Sequence, residues 1–172
     1  MLIILFILLT ITLASNKHSE VTIMIKDHIG ATGRLSVVLR DGNGKIKQLF
    51  EVENLIVDTG LNFITSRMKD ATATAMTHMA VGSGSTAAAA GNTALGTQIS
   101  TRVALTSTTV TANAIEYIAG FGAGVSTGAI TEAGIFNAST AGTMLCRTVF
   151  SVVNKAAADS LSITWTITIN AV

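Results

Sequence analysis

Three observations predict an all-β fold, mainly an antiparallel β-sandwich or barrel, with one short helix near residues 60–69. First, the last stretch of the chain, Leu161 to Val172, alternates without a break from Leu161 to Asn170. Apolar Leu161, Ile163, Trp165, Ile167 and Ile169 interleave with Ser162, Thr164, Thr166, Thr168 and Asn170, the period of a strand with one buried and one wet face. Second, short strand-length runs separated by Gly and Asn follow one another from Gln98 onward, the pattern of a sandwich or barrel. Third, proline is absent, so turns rest on Asn, Asp and the 15 glycines and no run is interrupted. A chain that ends on its most regular strand is expected to use that strand to close a sheet.

The hairpin comes first along the chain. Leu35, Val37 and Leu39 alternate with Arg34, Ser36 and Arg40 up to Asp41-Gly-Asn-Gly44, and Ile46 to Val52 leads away, giving a hairpin over 33–52. Asn-Gly tolerates the positive φ angles of a type I′ turn, whose twist matches the flanking strands. Leu61, Ile64 and Met68 then recur at helical spacing, with Arg67 and Lys69 at the end and Asp58 or Thr59 placed to cap the start. This helix is expected to cover one face or opening of the sheet. A small-residue linker, Ala71 to Ala75, leads to a short strand at Met76 to Val81. Gly82 to Gly91 reads as a flexible Gly/Ser/Ala loop. Strands are expected at Arg102–Thr111, Ala114–Phe121, Ala129–Phe136 and Thr143–Val152, before the terminal one.

Composition bounds the function. With 172 residues the chain makes a single β domain over 24–172, preceded by an apolar segment over 1–23. Charged residues make up 12%, about half the usual quarter, and the net charge is +1. Nothing electrostatic therefore draws it to nucleic acid or to an anionic membrane. A sparsely charged surface with 49% hydrophobic residues suits life inside a larger assembly, against the plainer reading of an ordinary domain. The lone Cys146 excludes an intrachain disulfide. Met1 to Ala14 is almost wholly apolar, shorter than the roughly 20 residues of a membrane span. It reads as a secretory signal, as a buried anchor, or as sequence upstream of a start at Met24.

Few residues suggest chemistry. Gly120 to Gly124 lacks the last glycine of a dinucleotide loop, where Val125 stands, and no helical pattern follows. Gly82-Ser-Gly-Ser85 does not meet the nucleophile-elbow pattern. His18, His28 and His78 have no metal-site spacing, and Cys146 reads as a small buried hydrophobe. No catalytic, cofactor-binding or metal-binding residue is assigned. Glu132 stands out because it interrupts an apolar strand. Its carboxylate is expected to meet backbone N–H groups or an arginine, so Arg102, Glu132 and Arg147 are the candidates for a structural polar cluster.

Several segments resemble bacteriophage tail-collar and tail-fibre proteins. Thr77-His-Met-Ala-Val-Gly-Ser-Gly84 is similar to their T-x-M-A-V-G-x-G segment, and Ile130-Thr-Glu-Ala-Gly-Ile-Phe-Asn137 to I-x-E-A-G-L-F-D. Thr93-Ala-Leu95 and Arg102 fit the layout between them. Leu145 to Phe150 with Asp159 to Ile169 resembles the L-x-R-T-V-F … D-x-L-x-I-T-W-x-I ending of small virion proteins. The resemblance covers roughly Gly60 to Ile169. It implies a non-enzymatic virion protein without cofactors, assembled in the host cytoplasm, mostly β and homo-oligomeric, a trimer by preference. Its partners would be other virion proteins, in a collar, fibre-base, connector or capsid-decoration position. No nucleic-acid partner is expected, and no membrane unless residues 1–14 act as an anchor. The rival expectation is a secreted surface or filament-forming protein whose apolar leader is a signal.

Overall fold

The structure, a computed structural model, describes residues 29–69 and 74–171. The apolar segment over 1–23, with its signal, anchor and Met24-start readings, lies outside the described residues. The elements in order are β1 (Ile29–Arg40), β2 (Ile46–Glu53), β3 (Leu55–Ile56), α1 (Asp58–Ser66), β4 (His78–Gly82), β5 (Val103–Ala104), β6 (Ser107–Thr111), β7 (Ala114–Phe121), β8 (Gly128–Phe136), β9 (Met144–Lys155) and β10 (Ser160–Ala171). They form two five-stranded antiparallel sheets, β2-β1-β10-β7-β6 and β3-β9-β8-β4-β5. The all-β architecture with a single short helix is therefore what the period-two runs predict.

The core lies between the sheets. Leu35, Val37 and Leu39 of β1, Tyr117, Ala119 and Phe121 of β7, and Leu161, Ile163, Trp165 and Ile167 of β10 face it from the first sheet. Met79, Val81, Ile130, Ala133, Ile135, Cys146, Phe150 and Val153 face it from the second. The three inner strands of the first sheet, β1, β10 and β7, bury alternate residues, so strict alternation and burial coincide there. A tilted contact between Phe50 and Phe150, with ring centroids 5.6 Å apart, spans the two layers at one side. The indole of Trp165 is fully buried and donates to Asn54 Oδ1 at 2.8 Å.

The terminal strand does not close a sheet. It runs down the centre of the first, pairing with β1 from Ile29↔Ala171 to Arg40↔Ser160 and with β7 from Leu161↔Phe121 to Thr168↔Ala114. Pairing on both edges is what its regularity serves, because a central strand must satisfy two registers at once.

Other local expectations shift. The hairpin turn is a longer loop: Asp41 Oδ1 accepts from the N–H groups of Asn43 and Lys45, and of the two residues in the Asn-Gly pair only Gly44 takes a positive φ, 84°. A type I′ turn needs positive φ at both central residues, and the irregularity at Leu39/Arg40 supplies the extra residue instead. Strand 102–111 is broken into β5 and β6, which join different sheets. Neither Asp58 nor Thr59 caps α1; Val57 stands at the N-cap without a side-chain bond, and the Thr59 hydroxyl donates to Met144 O. The helix turns Gly60, Phe63 and Ile64 inward, and leaves Leu61 and Met68 exposed. Gly60 sets this orientation, since a Cβ there would stand 1.9 Å from Leu145 O on β9.

Candidate functional site

The second sheet buries its outer face as well as its inner one. In β8, Ile130, Ala133 and Ile135 all belong to the inter-sheet core, a spacing that strict alternation forbids. A bulge explains it: the pairing jumps from Ile130↔Val153 to Glu132↔Val149, with β9 advancing further than β8. Without it Glu132 would share the apolar face of Ile130. With it, Glu132, Gly134 and Phe136 turn to the outer side, where Phe136 packs with Val57, Ala80, Met144 and Leu95.

Arg147 pairs with Gly134 in the register, which makes it a diagonal neighbour of Glu132 on the same outer face. Its Nε donates to Glu132 Oε2 at 2.8 Å and its second guanidinium nitrogen approaches the same oxygen at 2.7 Å. Both side chains are essentially closed to solvent. The segment linking β4 to β5 folds over them. Backbone N–H groups of Gly84 and Thr97 donate to Glu132 Oε1 at 2.9 and 2.7 Å, and that of Gly96 donates to Oε2 at 2.9 Å. Arg147 in turn donates to Thr86 O, Ala87 O and Asn92 Oδ1. The loop read as flexible is thus bound along its length to one buried ion pair.

The glycines of this loop have a steric reason. A Cβ on Gly82 or on Gly84 would come within 2.5 Å of Glu132 Oε1, so only a residue without a side chain lets the backbone N–H close on the carboxylate. Burial raises the Glu132 pKa, but the N–H donors of Thr97 and Gly96, the Arg147 guanidinium and the Gly84 N–H together outweigh it. The carboxyl is held below its ordinary value. Both carboxylate oxygens are engaged and the group is shut off from water, so this constellation fastens a loop; it presents no face to a substrate.

Arg102 is not part of it. Its guanidinium lies 3.5 Å from the ring centroid of Phe136 and donates to Ala138 O and Ala141 O, so it secures the turn between β8 and β9. The three-residue cluster of the sequence reading therefore divides into a Glu132–Arg147 pair and a separate Arg102 site. Which arginine meets Glu132 is decided by strand register, which no local pattern encodes.

A second polar group was missed. Lys155 is 2% exposed and donates to Gly122 O at 2.8 Å, beside Asp159, whose Oδ2 accepts from Lys47 Nζ at 2.6 Å and from Ala156 N–H. These bonds hold the Asp159 carboxyl below its ordinary value, the Lys47 contact foremost. Continuing the alternation of β9 from Val153 places Lys155 inward, which is the signal that points to it. Elsewhere, burial pushes the Cys146 thiol well up and the Tyr117 hydroxyl to about 12. His78 shares a hydrogen bond with the Thr77 hydroxyl. Among the described residues no three of His, Cys, Asp and Glu converge as metal ligands, and no helix is long and apolar enough to cross a membrane.

Compared with known proteins, the chain matches no family model, no curated protein and no solved structure. The class that fold and site define is an antiparallel β-sandwich with a loop locked over a buried ion pair.

Proposed function

We propose that this chain is a non-enzymatic structural component of a tailed-phage particle, a collar, fibre-base, connector or capsid-decoration protein. It assembles with other virion proteins and with its own copies through sheet edges and apolar faces. The observation that carries this reading is spatial. The segments that resemble phage proteins lie far apart in sequence, yet residues from three of them and the two that follow the fourth meet at one place. Gly84 comes from the first, Glu132 from the second, Arg147 from the last, and Gly96 and Thr97 follow Thr93-Ala-Leu95 directly. Four weak likenesses thus describe one physical unit, which supports treating them as a single structural signature. That unit spends its charged groups on internal order, in keeping with a scaffold role. Proteomics of purified particles tests the proposal: the chain is expected in mature virions at a fixed stoichiometry, and its absence from them overturns the reading.

The apolar run Met1 to Ala14 favours a second reading, a secreted surface or filament-forming protein. Sequencing the amino terminus of the mature protein separates the two, since cleavage near Ala14 favours export and an intact or Met24 start favours the particle.

A further inference from the structure

The four sheet edges are not equivalent. In the second sheet both edge strands, β3 and β5, are two residues long and offer little backbone to a neighbour. In the first sheet, β2 is long but carries Lys47, Glu51 and Glu53, and Arg34 on the next strand pairs with Glu51. Charges along an edge oppose strand addition. The remaining edge, β6, is Ser107-Thr-Thr-Val-Thr111: five residues, all exposed, none charged, rich in β-branched side chains. Among the described residues no charge, proline or bulge guards this edge.

From this edge we infer that β6 pairs antiparallel with β6 of a second copy of the chain, joining two five-stranded sheets into one across a two-fold axis at Thr109. The sequence is complementary to itself under that operation. Full overlap of the five residues sets Thr109 against Thr109, Ser107 against Thr111, and Thr108 against Val110 of the second copy, with no like charges opposed. The faces agree as well. Thr108 and Val110 pair with Tyr117 and Ile115 of β7, so they point to the inner side of the sheet. There an apolar cleft of about 270 Å³ opens beside them, lined by Phe63, Ile64, Tyr117 and Ile167 and edged by Thr108. Val110 is 70% exposed in the single chain. Pairing sets Val110 of the second copy beside Thr108, at the mouth of that cleft, and so removes the most exposed apolar side chain of the strand from water. A closed three-fold ring would instead need two different edges to meet, and the other long edge, β2, is charged.

This deepens the assembly reading, on which it rests for its biological setting, by naming the edge and the partner. Its test is made in solution, so its failure is distinct from absence of the chain from particles. Sedimentation velocity and light scattering of the purified full chain at tens of micromolar are expected to give a dimer. Val110→Lys, which places a charge on an exposed position without disturbing the fold by circular dichroism, should weaken association about tenfold or more. Leu49→Lys on the β2 edge should leave it unchanged. Thr109→Cys should crosslink with itself under mild oxidation, because paired Cα atoms at the axis lie about 4.5–5.5 Å apart. A monomer, a trimeric mass, undiminished association of V110K, or loss of association in L49K would each overturn the inference.

Discussion

Glu132 joins a strand of the second sheet to the loop that lies over it. Its two oxygens bind three backbone N–H groups and one guanidinium, all shielded from water. Glu132→Gln keeps the shape but removes the charge, leaving Arg147 buried without its counter-ion. Loss of one partner of a buried pair costs about 3–5 kcal/mol, and urea unfolding of the variant should show that loss. Replacing both by Leu and Met restores charge balance, yet the Gly84, Gly96 and Thr97 N–H groups still lack an acceptor. The double variant should therefore remain destabilised, by about 1–3 kcal/mol per orphaned donor at most. A double variant as stable as the parent would show that the loop finds other partners. The Glu132 anomaly is legible in the sequence as a carboxylate among apolar neighbours, but its partners are not. Gly84, Gly96 and Thr97 reach it only because a bulge turns it outward and a loop lies over it.

At the scale of elements, position within a sheet decides how much a strand matters. Ile163 on β10 sits fully buried between β1 and β7, whereas Val110 on the edge strand β6 is largely exposed. Ile163→Ala should cost about 2–5 kcal/mol, and Val110→Ala within about 0.5 kcal/mol of parent stability for the monomer; denaturant midpoints of the two compare them directly. The helix provides a different test. Gly60 lets α1 press on β9, so Gly60→Ala, which would strengthen an isolated helix, should here destabilise the protein by about 1–3 kcal/mol through the collision with Leu145 O. Thermal unfolding of G60A above the parent would contradict the docking geometry. Spacing at Leu61, Ile64 and Met68 identifies the helix but misassigns its buried stripe, because the backbone contact at Gly60, not the largest apolar side chains, orients it.

For the whole molecule, acid stability follows from the carboxylates that order its loops. Glu132 and Asp159 are both held below their ordinary values in the folded state. Their contribution is complete above the unfolded values of about 4.3 and 3.9 and is lost as pH falls through the lower folded values. Stability should therefore be level through neutrality and fall as the pH drops below about 4, and E132Q should flatten part of that fall. Urea midpoints measured across the acid range check both. The sequence by itself determined most of the strands, the buried faces of β1, β7 and β10, the turn positions and the low-charge character, because alternation and propensity are properties of neighbouring residues. Only the tertiary structure decided that the last strand runs central, that 102–111 divides between two sheets, and that Arg147 rather than Arg102 meets Glu132. Those outcomes depend on register between strands distant in the chain. A period of two says which face a residue occupies, but carries no record of the strand lying beside it.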